Sequence, residues 1–400
     1  MSRRVFASAV LLLLVVMMCC STGAASSKDT SGKGSSKEKY FDWRETKDGE
    51  TVGSLRIPSL VEMNGEVFAV AEAQLKEESG FNGIASELLT LTGQESKELV
   101  TPKLKTQVLV ECPSDKENCA SQAEDQAVSQ SEKKVRVSRP TTVVQGSDIY
   151  MLAGKYCQKP AAAGAGVCEA DEWGILLVKG QVSGNGESSK GILWKETNDF
   201  PQTTFVKQHE SLTRLIGGGG SGVKMKDGTL VLPVEVTKED GKTVSLILYS
   251  KDTNTNWKLS KGMSADGCSD PSVVEWKDKL MMMTACDDGR RRVYESGDKG
   301  DSWTEALGTL SCVWSSKKVE KVKFARSGFT TAKIEDNRDA MLVTLPVYAK
   351  TESEEKEKEK GKLHLWLTDN THIADIGAVS VEGRRRCCRQ LPVVQKRCKW

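Results

Sequence analysis

The 400-residue chain lacks an excess of either charge: 57 Lys and Arg stand against 55 Asp and Glu, a formal net charge of +2. Such a balance gives no global attraction for nucleic acid, so any ligand must be met by a local site. Histidine is scarce, with only His209, His364 and His372, too isolated to build a metal centre, and no metal or other cofactor is expected. There is no Asn-Xaa-Ser/Thr sequon, which weakens any case for N-glycosylation. The glycine run Gly217–Gly220, continued by Ser221 and Gly222, lacks the Gly-Lys-Ser/Thr ending of a phosphate-binding loop and reads as a packed structural loop. Helical periodicity is also rare; Leu88–Leu99 is the one modest candidate. Beyond the first residues no apolar stretch is long enough for a transmembrane helix or a GPI-attachment tail.

The chain opens with Arg3 and Arg4, an apolar run from Val5 to Met18, and small residues at Gly23, Ala24 and Ala25. This predicts a secretory signal over 1–25, since the run falls short of the roughly 20 residues that span a bilayer. Serine and charge dominate 26–39, which reads as a flexible leader. Secretion would place the twelve cysteines in an oxidising compartment, where disulfides are expected. Cys19 and Cys20 would leave with the signal. Cys112 with Cys119 and Cys157 with Cys168 bracket local loops, and Cys268 with Cys286 could join neighbouring strands, which leaves Cys312 without an obvious partner.

From Tyr40 onward, short alternating apolar runs are separated by the turn pairs Asn64-Gly65, Gly146-Ser147, Asp227-Gly228, Asp240-Gly241 and Asp288-Gly289. These predict antiparallel hairpins and an all-β fold. A strand-opening pattern recurs as Arg56-Ile57-Pro58, Arg139-Pro140 and Asp270-Pro271. Proline lacks an amide donor and suits the first residue of a strand, which would leave the preceding side chain at the open end of the sheet. A second repeat, Ser296-Gly297-Asp298-Lys299-Gly300-Asp301-Ser302-Trp303, fits the Asp-box pattern S-x-D-x-G-x-[ST]-W, with a degenerate copy from Ser250 to Trp257. In it Ser296, Asp298 and Ser302 satisfy a tight turn around Gly300, while Trp303 packs beneath. Repeats at this spacing point to a β-propeller with Gly217–Gly220 near its axis.

With Leu55-Arg56-Ile57-Pro58, Ala71-Glu72-Ala73, Gly267-Cys268-Ser269-Asp270-Pro271, Val293-Tyr294-Glu295-Ser296, Trp303–Val313 and Leu365–Asn370, the chain resembles the trypanosomal trans-sialidase family. The resemblance implies a six-bladed sialidase propeller over 40–382, incomplete in its last blade, without the lectin-like domain of longer relatives. It also implies a site built from three clamp arginines, a carboxyl acid/base, and a tyrosine nucleophile activated by a glutamate. By this correspondence Arg56 is the first clamp residue, Ala285 replaces the second, and Lys362 stands at the third, keeping charge but losing the fork. Glu72 takes the acid/base position and Asp270 the activating one, each off by a methylene, and Arg139 replaces a pocket aspartate. The nucleophile should follow Val379-Ser380-Val381, yet 383–400 holds no tyrosine and reads as an aberrant basic tail.

Three readings follow from the resemblance: a catalytically silent protein, secreted or at the cell surface, that meets sialylated host glycans or serves an antigenic role; an active exo-α-sialidase or trans-sialidase with a replacement nucleophile; or a glycan-binding module without turnover. Nucleic acid and a transmembrane anchor are not expected.

Overall fold

The computed structural model describes residues 40–76, 83–90, 104–112, 133–156, 174–184, 190–201, 205, 212–251, 256–307, 310–311, 327–334, 337–347 and 362–379. The segments expected to be a signal and a leader, the Cys157–Cys168 loop, Cys119, Cys312 and the basic tail lie outside the described residues.

Among the described residues, five mainly antiparallel sheets follow one another. The first holds β1 (Tyr40–Glu45), β2 (Val52–Met63), β3 (Glu66–Leu75), β4 (Gly83–Leu89), β5 (Lys105–Cys112) and β6 (Lys133–Lys134). The second holds β7 (Arg136–Gln145), β8 (Asp148–Tyr156), β9 (Gly174–Ser183) and β10 (Gly191–Pro201). The third begins with β11 (Leu212–Gly217), while β12 (Gly220–Ser221), which follows it in the chain, adds a fifth strand to the second sheet by pairing in parallel with β7. The third continues with β13 (Val223–Lys224), β14 (Leu230–Lys238), β15 (Thr243–Ser250) and β16 (Lys258–Leu259). The fourth contains β17 (Cys268–Trp276), β18 (Lys279–Cys286), β19 (Arg291–Ser296) and β20 (Thr304–Glu305), and the fifth β21 (Gly328–Ile334), β22 (Arg338–Val347), β23 (Lys362–Thr368) and β24 (Ile373–Ala378).

Strand alternation explains how the sheets stack, because successive side chains point to opposite faces. On β8, Ile149, Met151 and Ala153 join the core shared with the first sheet, while Tyr150 and Leu152 join the core shared with the third. On β14, Leu230, Leu232, Val234 and Val236 face the second sheet, and Val231 packs with Val273 and Met282 of the fourth. Both faces of a middle sheet are therefore buried, which is why β14 and β18 read as mostly apolar runs and not as alternating ones. The expected helix over Leu88–Leu99 is corrected in its first residues: Leu88 and Leu89 end β4, opposite Phe68 and Val67, and 91–99 lies outside the described residues. Local spacing cannot see that cross-strand pairing, which decides the conformation.

All five turn pairs named above close hairpins. In the Asp-box, Asp298 Oδ1 accepts from Ser302 N (2.9 Å), Asp298 Oδ2 from Ser302 Oγ (2.6 Å), and Ser296 Oγ from Gly300 N (2.7 Å). Lys299 Nζ reaches Asp227 Oδ2 (2.5 Å), tying this turn to the β13–β14 turn of the third sheet. A disulfide joins Cys268 to Cys286, directly opposite on β17 and β18. Cys112 is also disulfide-bonded.

Glu50 anchors the first sheet's edge, taking both guanidinium nitrogens of Arg44 (2.7 and 2.9 Å) and Lys134 Nζ (2.6 Å). Burial raises its pKa, but the bonds from Arg44, Lys134 and the Lys47 amide outweigh it, lowering the value from 4.5 to about 2. A depressed carboxylate stabilises the fold above its unfolded-state value, and that stability is lost as pH falls from 4.5 toward 2. In urea titrations, Glu50→Gln should therefore flatten this part of the acid limb; an unchanged slope would contradict the assignment.

Candidate functional site

The three Xaa-Pro pairs do not open their strands. Each sits inside one, at a bulge: the register shifts between Arg56 and Ser59 on β2, Ser138 and Thr141 on β7, and Ser269 and Ser272 on β17. A strand proline has no amide for the ladder, so a bulge accommodates it. The residue before each proline is left-handed, with φ of 49° at Ile57, 56° at Arg139 and 50° at Asp270. Such a conformation costs an L-residue about 1–3 kcal/mol and persists only where its surroundings hold it.

Two carboxylates on neighbouring sheets hold two of these bulges. Glu72, on β3, accepts at Oε1 from Ser138 Oγ (2.9 Å) and from the Arg139 amide. Glu235, on β14, accepts at Oε1 from the Asp270 amide (2.8 Å). The arrangement repeats: an acid on the strand beside the inner one grips the strained amide of the next sheet. Arg139 then joins the two halves. Its Nη1 lies 2.6 Å from Glu235 Oε1 and its Nη2 3.5 Å from Asp270 Oδ1. Glu72, Arg139, Glu235 and Asp270 are thus linked across four consecutive sheets, first through the Arg139 amide and then through its guanidinium. Glu72 and Glu235 are nearly inaccessible, at 2 % and 4 % exposure. Burial works against the Arg139 charge, but Glu235 and Asp270 more than offset it and leave its pKa above the ordinary value.

The glycine run lets the sheets approach at this point. A Cβ on Gly217 would stand 2.8 Å from the Arg139 carbonyl oxygen, and one on Gly218 would stand 2.7 Å from Pro233 O and 3.1 Å from Pro271 Cγ. Only glycine permits such backbone contacts. Tyr156, at the end of β8, lies within electrostatic reach of Arg139, Glu72 and Glu235, and Arg214 stacks over its ring at 5.4 Å. Burial raises the Tyr156 pKa, and the nearby arginines only partly counter it, so the phenol keeps its proton.

Of the residues singled out in the sequence, the structure brings together Glu72, Asp270 and Arg139. Arg56 pairs across β2 and β3 with Glu72 and is exposed. Ala285 is buried between Ser269 and Arg291 on β18. Arg291 is buried as well and donates to Ser327 Oγ at the approach to β21. Lys362 begins β23, two strands out from β21, and is exposed. The segment after Val379 lies outside the described residues, and among those residues no group of three side chains could hold a metal.

Sequence reasoning missed Glu235. Its signal was present: one acid inside the otherwise apolar run Leu230–Val236 must find a partner when both faces of the strand are covered.

Residues 57–387 match the BNR repeat-like domain. The chain is 35 % identical to a sialidase of Trypanosoma cruzi over 251 residues, 62 % of this chain and 21 % of that protein. It is 36 % identical to sialidase 85-1.1 of the same organism over 257 residues, covering 62 % of this chain and 32 % of the relative. Among solved structures, the Trypanosoma rangeli sialidase in complex with sialic acid superposes with a TM-score of 0.61 at 28 % identity, over 85 % of this chain and 53 % of that one. The chain thus spans a fifth to a third of the Trypanosoma cruzi relatives and about half of the Trypanosoma rangeli structure.

Proposed function

We propose, because the chain belongs to the sialidase superfamily through its BNR repeat-like domain, that it meets sialylated glycans at the centre of a sialidase-type β-propeller without hydrolysing them. One observation carries this reading. The carboxylate at the acid/base position, Glu72, is buried and accepts hydrogen bonds from Ser138 and the Arg139 amide. A general acid must reach the leaving oxygen within hydrogen-bond distance, and Glu72 could do so only by abandoning a strained bulge.

Other features support the same conclusion. The activating position, Asp270, is paired with Arg139, and the second clamp position carries the neutral Ala285. Tyr156, the tyrosine beside these carboxylates, is a poor replacement nucleophile because burial favours its protonated form. At the first clamp position stands the exposed Arg56, whose planar fork suits a sialic acid carboxylate, and at the third the exposed Lys362 keeps a positive charge. By its first residues the protein would act in the secretory pathway or at the cell surface, in contact with host glycans or in an antigenic role.

The test is a titration of the protein with sialyllactose, followed by ligand NMR, with liberated sialic acid monitored in the same tube. Saturable binding that weakens about tenfold or more in Arg56→Ala is expected, since a hydrogen bond to a charged group is worth about 1.5–3 kcal/mol. Failure to bind would remove the recognition role, and liberated sialic acid would restore the enzyme.

A further inference from the structure

We infer that the propeller contains a guanidinium-recognition site, formed by Glu235 and Asp270 and filled by the chain's own Arg139. The ordinary inventory of a strand bulge does not call for it. A bulge needs its amides satisfied, and Glu72 already does this for Arg139. The side chain nevertheless turns across to the third and fourth sheets, where Glu235 Oε1 meets Nη1 at 2.6 Å and Asp270 Oδ1 meets Nη2 at 3.5 Å. The same Glu235 oxygen accepts the left-handed amide of Asp270, which fixes the second carboxylate relative to the first.

Two carboxylates so placed, with side-chain exposures of 6 % and 10 %, would repel each other without a cation between them. The guanidinium, whose charge is spread over its nitrogens, lies within ion-pair distance of both acids at once, which a point-charged ammonium on a single atom does less well. Arg139 thereby does from within what a bound small molecule does elsewhere: it links the second, third and fourth sheets. These contacts hold whether or not sialosides bind.

Chemical rescue tests it. Arg139→Ala should lower Tm by roughly 5–10 °C, as expected for a large domain losing a buried charged contact. Guanidinium chloride at about 10 mM, far below denaturing levels, should then raise the Tm of Arg139→Ala by linkage, while matched sodium chloride does not. The unmodified protein, its site filled, should not respond, and adding Glu235→Gln to Arg139→Ala should abolish the rescue. If Arg139→Ala does not accumulate as folded protein, Arg139→Gln, which keeps most of the packed stem, replaces it in the same titration. A variant that melts like the unmodified protein, or that responds equally to sodium and guanidinium, would overturn the assignment.

Discussion

Glu235→Ala is expected to cost about 3–5 kcal/mol, the usual penalty for removing one partner of a buried ion pair. Two losses coincide in this substitution. The Arg139 guanidinium keeps only Asp270, at 3.5 Å, as its opposing charge. The amide of Asp270, left-handed at φ 50°, loses its acceptor. Buried donors left without partners cost about 1–3 kcal/mol each. Glu235→Gln, which retains one acceptor oxygen for the amide but not the charge, should lose distinctly less. Urea unfolding of the two variants beside the unmodified protein measures this difference. A loss below about 1 kcal/mol for Glu235→Ala, a value typical of surface ion pairs, would mean that the contact adds little to stability.

The second large effect is on turnover. Ala285→Arg with Lys362→Arg should leave sialoside cleavage at background, although it restores two guanidinium groups at the positions that the sequence resemblance assigns to the clamp. Added arginines strengthen the grip on a bound carboxylate in ground state and transition state alike, and uniform binding does not speed the chemical step. On the proposed reading, the contribution still wanting is proton transfer. General acid catalysis is worth about 10²–10⁴ in rate, and it requires a carboxyl group within hydrogen-bond reach of the leaving oxygen. Glu72 is 2 % exposed and bonded to Ser138 and Arg139. Asp270, the second acid that turnover would need, faces the Arg139 cation. Neither obstacle is touched by residues 285 and 362.

Much of the fold was legible because its signals are local. Asn64-Gly65 and Asp240-Gly241 mark hairpin turns through residues that adopt positive φ easily, and both adopt or adjoin it here, at φ 53° for Asn64 and 80° for Gly241. Cys268 and Cys286 could be paired from the hairpin between them. The site was legible only in part. Glu72, Arg139 and Asp270 were found through sequence resemblance, but that comparison assigns roles position by position and cannot report where a carboxylate's hydrogen bonds go. The bulge at Arg139 depends on a residue of another sheet, Glu72, 67 positions away. Glu235 stands out in its strand as an acid that needs a partner, but which partner it finds, and that Tyr156 lies near it, follows from how the sheets stack. The prolines were misplaced at strand starts for a related reason: a bulge inside a strand satisfies proline's missing donor equally well.

The central claim, that Glu72 holds a bulge and does not transfer a proton, is tested most directly by cleavage of a fluorogenic sialoside, measured for the unmodified protein and Glu72→Gln in parallel with their melting curves. The account predicts that neither protein releases fluorophore above the protein-free rate, and that Glu72→Gln melts at a lower temperature because an amide is a weaker acceptor for Ser138 and the Arg139 amide. Release by the unmodified protein that disappears in Glu72→Gln, with the melting temperature unchanged, would contradict it.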